Sequence, residues 1–189
     1  QTTEYEILSR FLKAVGQKRP QLVGFNSAKA DLKILLQRAV AKGVQAAKFA
    51  KRPEKPWLGY DYFDARNSEG HIDLIEILGS YGKSNPSLNE MATVCGIPGK
   101  LGVSGEEVAP MWLEGRLAEI VAYNECDALS TYLIWLRMAF FGGFFDRRQY
   151  AEEQERVRKL LSAEGTLPGK EHLLEFLERW EMWSPVEVG

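Results

Sequence analysis

The chain has 189 residues, of which 45% are hydrophobic and 26% are charged, and its formal net charge is -2 at pH 7. This length suits one domain with its own core, with or without a helical appendage, and is short for two domains. The slightly negative charge excludes a globally basic nucleic-acid coat, so any polyanion must bind through local cations or bound metal ions. The only cysteines, Cys95 and Cys126, form no Cys-x-x-Cys pair, which argues against a disulfide framework or a structural zinc site.

No apolar segment is long enough to cross a membrane. The most apolar segment, residues 133–145, is interrupted by Arg137 and by Gly142 and Gly143, whereas a membrane helix needs about 20 apolar residues. The N-terminal residues do not have the charged-then-apolar pattern of a signal peptide. We therefore expect a cytoplasmic protein with no membrane partner, and the sequence gives no signal for its oligomeric state.

A helix and then a short strand are predicted at the beginning of the chain. Thr3 and Glu6 have the spacing of a capping box, and apolar residues follow at helical period, which predicts an amphipathic helix near residues 3–16. Residues 22–25, Leu-Val-Gly-Phe, are typical of a short buried parallel strand. This strand is predicted to end at Asn26, and a helical pattern follows.

Asp31 lies where the predicted strand, a loop and the start of the second helix meet. Ligand groups in open α/β sheets gather at the carboxyl ends of strands, so an acid at this junction is a candidate site residue. The alternative is that Asp31 merely caps the helix or interacts favourably with its dipole. The residues alone favour this alternative.

Residues 48–56 carry four cations and two prolines, and we predict an exposed irregular loop there. Four aromatic residues follow: Trp57, Tyr60, Tyr62 and Phe63. Cations beside aromatic rings suit a single strand of nucleic acid, because phosphates need charge and bases need stacking surfaces. A solvated loop followed by a cluster of core side chains is the alternative, and the pattern alone favours it.

A second strand and a further helix are predicted in the middle of the chain. The strand covers residues 71–75, and we expect His71 to be a strand-end residue rather than a metal ligand. Ser87 and Glu90 have the spacing of a capping box and open a helix that Gly96 closes.

The longest predicted helix covers residues 116–137, with no Gly or Pro to interrupt it. Tyr123 and Asp127 are four residues apart within it, so their Cβ atoms lie about 6 Å apart on one helical face. This phenol and carboxylate could hold a metal ion and a water together. An ordinary half-buried surface is the alternative.

Two amphipathic helices complete the chain, and we predict a helical extension over residues 147–189 that packs on a domain of residues 1–146.

Three short motifs occur in an order and spacing that one family shares. They are Asn26-x-x-x-x-Asp31 after an apolar strand, the strand Ile72-Asp73-Leu74, and Tyr123-x-x-x-Asp127 on a late helix. The chain resembles the DEDD 3′-5′ exonucleases of the tyrosine subtype, in particular the predicted exonucleases similar to the proofreading domain of family B DNA polymerases. This resemblance implies an α/β fold of the ribonuclease-H-like type.

The resemblance also implies a reaction and roles for four residues. The expected reaction is metal-dependent hydrolysis at 3′ ends of single-stranded DNA, with RNA as an open alternative, releasing nucleoside 5′-monophosphates. Two divalent ions, Mg²⁺ or Mn²⁺, are the implied cofactors. Asp127 would bind one ion and Asp31 the second, Tyr123 would orient the attacking water, and Asn26 would contact the substrate. Ala30 stands where the family usually has an aromatic residue, so no stacking contact is implied there.

One motif of the family has no counterpart in this sequence. The family's first motif, Asp-x-Glu on a central strand, should precede Asn26, but Glu4 and Glu6 fall in a helical pattern. We therefore expect the chain to lack the N-terminal strands of the fold and to show little or no turnover on its own. The rival hypothesis is an inactive nucleic-acid-binding or scaffold module that retains the fold, and a ribonuclease of the same superfamily is a further rival.

Overall fold

The computed structural model describes residues 2–64, 67–79, 85–99 and 105–183. The chain divides into two compact units, residues 1–85 and residues 86–189, and each is described by itself. The described residues are mostly helical, with one small parallel sheet of two strands. This composition is compatible with the predicted α/β class. The predicted boundary at residue 146 between a domain and a helical extension stays a prediction.

The first unit contains the sheet and four α-helices among its described residues. These elements are α1 (Glu4–Lys18), β1 (Leu22–Gly24), α2 (Asp31–Ala41), α3 (Ala47–Ala50), a 3₁₀ turn (Pro56–Leu58), β2 (His71–Asp73) and α4 (Leu74–Leu78). Strands β1 and β2 are parallel, with Val23 opposite Ile72. The helix, strand and helix predicted over the first 41 residues are thus confirmed.

Helix α1 begins with the predicted capping box. The Thr3 side chain accepts a hydrogen bond from the Glu6 backbone N–H, and the Glu6 carboxylate accepts one from the Thr3 backbone N–H. Because Glu4 and Glu6 lie in this first helical turn, neither belongs to a strand. The opposite face of α1 buries Leu12 and Val15. These two side chains belong to the core of the first unit, which also contains Leu32, Ala39, Phe49 and Tyr62.

Two predictions in this unit are wrong in part. Residues 48–50 were expected in an irregular loop but belong to α3, because Phe49 is buried against α1 and holds this turn in place. The strand expected over residues 71–75 ends at Asp73. The Asp73 carboxylate accepts a hydrogen bond from the Ile75 backbone N–H, 3.3 Å away, and so starts α4 at Leu74.

The second unit is helical throughout its described residues. Its elements are α5 (Leu88–Val94), a 3₁₀ turn (Gly105–Glu107), α6 (Val108–Leu113), α7 (Leu117–Phe141), α8 (Arg147–Glu164) and α9 (Glu171–Trp183). Helices α5, α6, α8 and α9 all pack against α7. The predicted capping box of Ser87 and Glu90 is confirmed at the start of α5.

Helix α7 is the centre of the second unit. It extends four residues beyond the predicted end at Arg137, to Phe141, and Gly142 and Gly143 follow it. The buried Ser130 hydroxyl lies 2.8 Å from the carbonyl oxygen of Pro98 and so connects the segment after α5 to α7. Among the helices that the structure describes, none combines the length and apolar character needed to span a membrane.

Candidate active site

Asp73 organises the end of the sheet in the first unit. It is the last residue of β2, its side chain is 1% exposed, and its two carboxylate oxygens accept from three backbone N–H groups. The nitrogen of Asn26 lies 2.7 Å from one oxygen, and that of Ala28 lies 2.9 Å from the other. The third donor is the Ile75 N–H described above. Asp73 therefore ties the loop after β1 to the carboxyl end of β2.

Asn26 lies at the sharp turn that follows β1. Its φ angle is 61°, in the left-handed region that asparagine tolerates better than most residues with a Cβ atom. Its carbonyl oxygen accepts from the Ala30 N–H at 3.0 Å, which leads the chain into α2. The side chain is exposed. The turn after β1 thus explains why an asparagine with a left-handed backbone conformation stands at position 26. The contact of its side chain with substrate stays a prediction.

Asp31 is the first residue of α2, and its side chain is exposed. The cap position belongs to Ala30, and no side-chain capping hydrogen bond is formed there. Of the two structural alternatives for Asp31, capping is therefore wrong and only the favourable interaction with the helix dipole stays open. Asp31 begins the helix that follows β1 along the chain, and its role as a site residue stays a prediction.

His71 is buried at the first position of β2, with 3% of its surface exposed. Its Nε2 atom lies 2.8 Å from the Ser27 hydroxyl oxygen, which makes a second connection between the loop after β1 and β2. Burial lowers the pKa of His71, although the nearby carboxylate charges of Asp73 and Asp31 act in the opposite direction. Its position agrees with the predicted role at a strand end.

Tyr123 and Asp127 lie together on one face of α7 in the second unit. Burial, followed by a hydrogen bond to the Asp127 carboxylate and the charge of that carboxylate, raises the pKa of Tyr123 to about 12. The phenol is therefore neutral at physiological pH and acts as a hydrogen-bond donor. Both side chains are half-buried, so the pair is neither fully solvated nor part of the buried core.

Glu125 lies between these two residues in the sequence and forms a separate ion-pair cluster. Its carboxylate pairs with the Lys170 ammonium group and, at 2.6 Å, with Nε2 of His172 at the start of α9. The hydrogen bond from Lys170 is the main reason why the pKa of Glu125 is lowered. The cluster fixes α9 to α7. Sequence reasoning missed it because the partners are more than 40 residues apart and have no common motif.

The Glu125 cluster predicts a pH-dependent contribution to stability. A carboxylate with a lowered pKa stabilises the fold fully above its unfolded pKa, near 4.5, and loses that contribution as the pH falls through the folded value. We expect Glu125→Gln to lower the free energy of unfolding by about 1 kcal/mol at pH 7, since the groups are partly exposed. Urea unfolding should show this difference shrinking below about pH 5. A difference that grows on acidification would contradict the assignment.

The predicted site residues thus form two pairs. Asn26 and Asp31 belong to the loop and helix start after β1 in the first unit, and Tyr123 and Asp127 belong to α7 in the second. Within the residues that the structure describes, no group of three or more His, Cys, Asp or Glu side chains could hold a metal ion. The catalytic and metal-binding roles of the four residues stay predictions.

The described fold is mostly helical with a two-stranded parallel sheet, which is compatible with an α/β class. A comparison with known families matches residues 1–180 to a family described as predicted 3′-5′ exonuclease related to the exonuclease domain of PolB. The chain belongs to this family, which confirms the resemblance found in its motifs. No curated protein and no solved structure matches the chain.

Proposed function

We propose that this protein is a metal-dependent 3′-5′ exonuclease with a ribonuclease-H-like fold. It hydrolyses phosphodiester bonds at the 3′ ends of single-stranded DNA and releases nucleoside 5′-monophosphates. The observation that carries the proposal is the hydrogen-bonded Tyr123–Asp127 pair on α7, in a chain whose family match covers residues 1–180. A second acid, Asp31, is exposed at the start of the helix that follows β1 and supports the proposal.

The donor chemistry of the two acids fits Mg²⁺ or Mn²⁺. Asp31 and Asp127 offer hard carboxylate oxygens, which these ions prefer to nitrogen or sulfur ligands. Two carboxylates are only part of a ligand set, and the resemblance implies a further Asp-x-Glu pair for the rest. When bound, two divalent ions supply an activated water and stabilise the charge on the attacking and leaving oxygens.

Four side chains of this protein hold the metal ions, the attacking water and the substrate in the proposed reaction. Asp127 holds a metal ion, and its hydrogen bond to Tyr123 keeps the phenol in a fixed position. Because the pKa of Tyr123 is raised to about 12, the phenol keeps its proton and donates it to the Asp127 carboxylate. The phenol oxygen then accepts a hydrogen bond from the attacking water and orients it. Asp31 holds the second ion. Asn26 contacts the substrate strand from the turn that Asp73 fixes.

The experiment uses the product of the whole reading frame that contains these residues. A single-stranded DNA carrying a label at its 5′ end is incubated with Mg²⁺ or Mn²⁺, and a second strand is blocked at its 3′ end. We expect progressive shortening of the first strand, release of nucleoside 5′-monophosphates, and no reaction on the blocked strand or with EDTA. A parallel RNA strand tests the ribonuclease alternative.

Two results would contradict the proposal. Shortening from the 5′ end would show a different polarity and therefore a different arrangement of strand and site. Tight binding of the strand without any hydrolysis, with either ion, would instead support a nucleic-acid-binding module that retains the family's fold.

A further inference from the structure

An indole and several cations share an exposed surface in the first unit. Trp57 is 68% exposed, and the Lys55 ammonium nitrogen lies 5.7 Å from the centre of its ring. Lys51 and Arg52 precede them in the same exposed segment. We call these four residues the Trp57 surface. A large aromatic side chain left in water beside positive charge suits a ligand with both flat rings and negative charges.

Two neighbouring aromatic residues have a different role, because they form core. Phe49 and Tyr62 are both buried, and their rings stack with centroids 5.1 Å apart and planes inclined by 6°. Of the four aromatic residues after the basic stretch, Tyr62 is therefore buried, Tyr60 is half-buried, and Phe63 and Trp57 are 37% and 68% exposed. The core alternative is thus confirmed for Tyr62, and nucleic-acid binding by this stretch stays a prediction.

The segment that carries Trp57 is fastened to the unit by polar contacts. The Asp61 carboxylate, 1% exposed on its side chain, accepts a hydrogen bond from the Arg52 guanidinium at 2.8 Å. The Asp61 backbone N–H donates to the Ser68 hydroxyl oxygen at 2.7 Å. The Arg19 guanidinium donates to the Tyr60 carbonyl oxygen. These contacts fix the backbone on the C-terminal side of Trp57, so little conformational entropy is lost when a ligand binds.

The local charge is opposite to that of the whole chain. Residues 48–55 carry four cations and a single acid, Glu54, within a protein of net charge -2. Arg52 is paired with Asp61, so the excess positive charge comes from the three lysines. Lys48, Lys51 and Lys55 are all exposed. A polyanion that the chain as a whole does not attract is therefore attracted here at short range.

We infer that the Trp57 surface binds single-stranded nucleic acid, with a base stacked on the Trp57 indole and phosphates contacting Lys51 and Lys55. The inference rests on the proposed function for the identity of the polymer, because that function requires a single strand to be held. It adds a binding site that the four predicted active-site residues do not include. Sequence-independent binding is expected, since every base offers a flat face and the lysines contact only phosphates.

The test measures binding in EDTA, so that hydrolysis plays no part. The probe is a fluorescein-labelled oligo(dT) of about 12 nucleotides, a length within the site size of single-strand binding proteins. We expect Trp57→Ala to weaken binding about tenfold and Trp57→Phe, which keeps an aromatic face, to restore most of it. The matched control is Trp112→Ala, because Trp112 is 64% exposed on α6 and is not beside a basic segment; its Kd should be unchanged.

The lysines are tested through the salt dependence of the same Kd. Replacing Lys51 or Lys55 with Gln should reduce the slope of log K against log salt by about 0.7 for each phosphate that the variant no longer neutralises. Heparin, a polyanion without bases, should compete weakly with the oligonucleotide and should bind wild type and Trp57→Ala equally well.

Each outcome is informative about a separate claim. Equal affinity of Trp57→Ala and wild type for oligo(dT), with circular dichroism showing that the variant is folded, would overturn the inference and leave the exonuclease proposal intact. If Trp57→Ala does not fold, full affinity in the charge-only variant Lys51→Gln, Lys55→Gln would overturn it. Conversely, a tenfold loss of affinity for oligo(dT) in Trp57→Ala, together with no hydrolysis by the wild type, would support this binding site and contradict the proposed function.

Discussion

Replacement of Asp73 with Ala is expected to lower the melting temperature by about 10 °C. The buried carboxylate accepts hydrogen bonds from the backbone N–H groups of Asn26, Ala28 and Ile75, and alanine would leave all three donors without this partner. A hydrogen bond to a charged group contributes about 1.5–3 kcal/mol, and water can reach part of this junction, so a total loss of about 3 kcal/mol is expected. For a chain of this length each kcal/mol corresponds to about 2–4 °C.

The control for this prediction is Asp31→Asn, in the same junction. Asp31 is exposed at the start of α2, where its side chain forms no cap, so its replacement should leave the melting temperature within about 2 °C of wild type. Differential scanning calorimetry of the two variants separates the acid that holds the fold from the acid proposed for catalysis. Equal melting temperatures for Asp73→Ala and wild type would show that Asp73 does not organise this loop.

Asp127→Asn is expected to lower the rate of hydrolysis on the order of 10³-fold. The amide is neutral and nearly the same size, so the packing of α7 is kept while the charge of the proposed metal ligand is removed. A metal ion contributes several kcal/mol of transition-state stabilisation, and about 4 kcal/mol corresponds to a factor of 10³. Tyr123→Phe should have a smaller effect, about 10- to 100-fold, because it removes one hydrogen bond to the attacking water.

Glu125→Gln is the matched control, since it also neutralises an acid of α7. Glu125 pairs with Lys170 and His172 at the start of α9, away from the Tyr123–Asp127 pair. Its replacement should change stability slightly and leave kcat within about twofold of wild type. A loss of kcat as large as that of Asp127→Asn would show that catalysis depends on the total negative charge of α7 rather than on Asp127 specifically.

The sequence predicted those parts of the fold that local chemistry determines. The capping boxes of α1 and α5 are encoded by residues three positions apart, so their helix starts could be located before any tertiary contact was known. The apolar run before Asn26 likewise predicted β1 as a parallel strand. The prediction that this strand is buried was wrong, because its three residues are half-buried. Tyr123 and Asp127 were paired by helical geometry alone.

The parts that were missed depend on contacts between distant residues. Helix α3 exists because Phe49 packs against α1. Its alanines and lysine favour a helix, but four residues are too few to form one without this contact. The early end of β2 follows from the contacts of Asp73 with a loop 45 and 47 positions away along the chain. Because Asp73 stands between two apolar residues, the sequence pattern predicts that it lies inside a strand. Only the backbone N–H groups that bind its carboxylate show that the strand ends there.

In the candidate site, too, local features were predicted and long-range contacts were missed. Its residues were proposed from motif spacing, but the groups that position those residues were not predicted. The Asp73 carboxylate that fixes the turn at Asn26 is an example, and the Ser27–His71 contact is another. For Asp73, the position of an acid at the end of a predicted strand and before a helical pattern was the signal that could have indicated a helix cap.

The central claim is that Asp127 belongs to the catalytic site of a 3′-5′ exonuclease. The most direct test uses the product of the whole reading frame, as wild type, Asp127→Asn and Glu125→Gln. It measures with Mg²⁺ the single-turnover rate at which nucleoside 5′-monophosphate is released from the 3′ end of single-stranded DNA. We predict release by wild type and Glu125→Gln at similar rates and a rate on the order of 10³-fold lower for Asp127→Asn. Release at the wild-type rate by folded Asp127→Asn would contradict the claim.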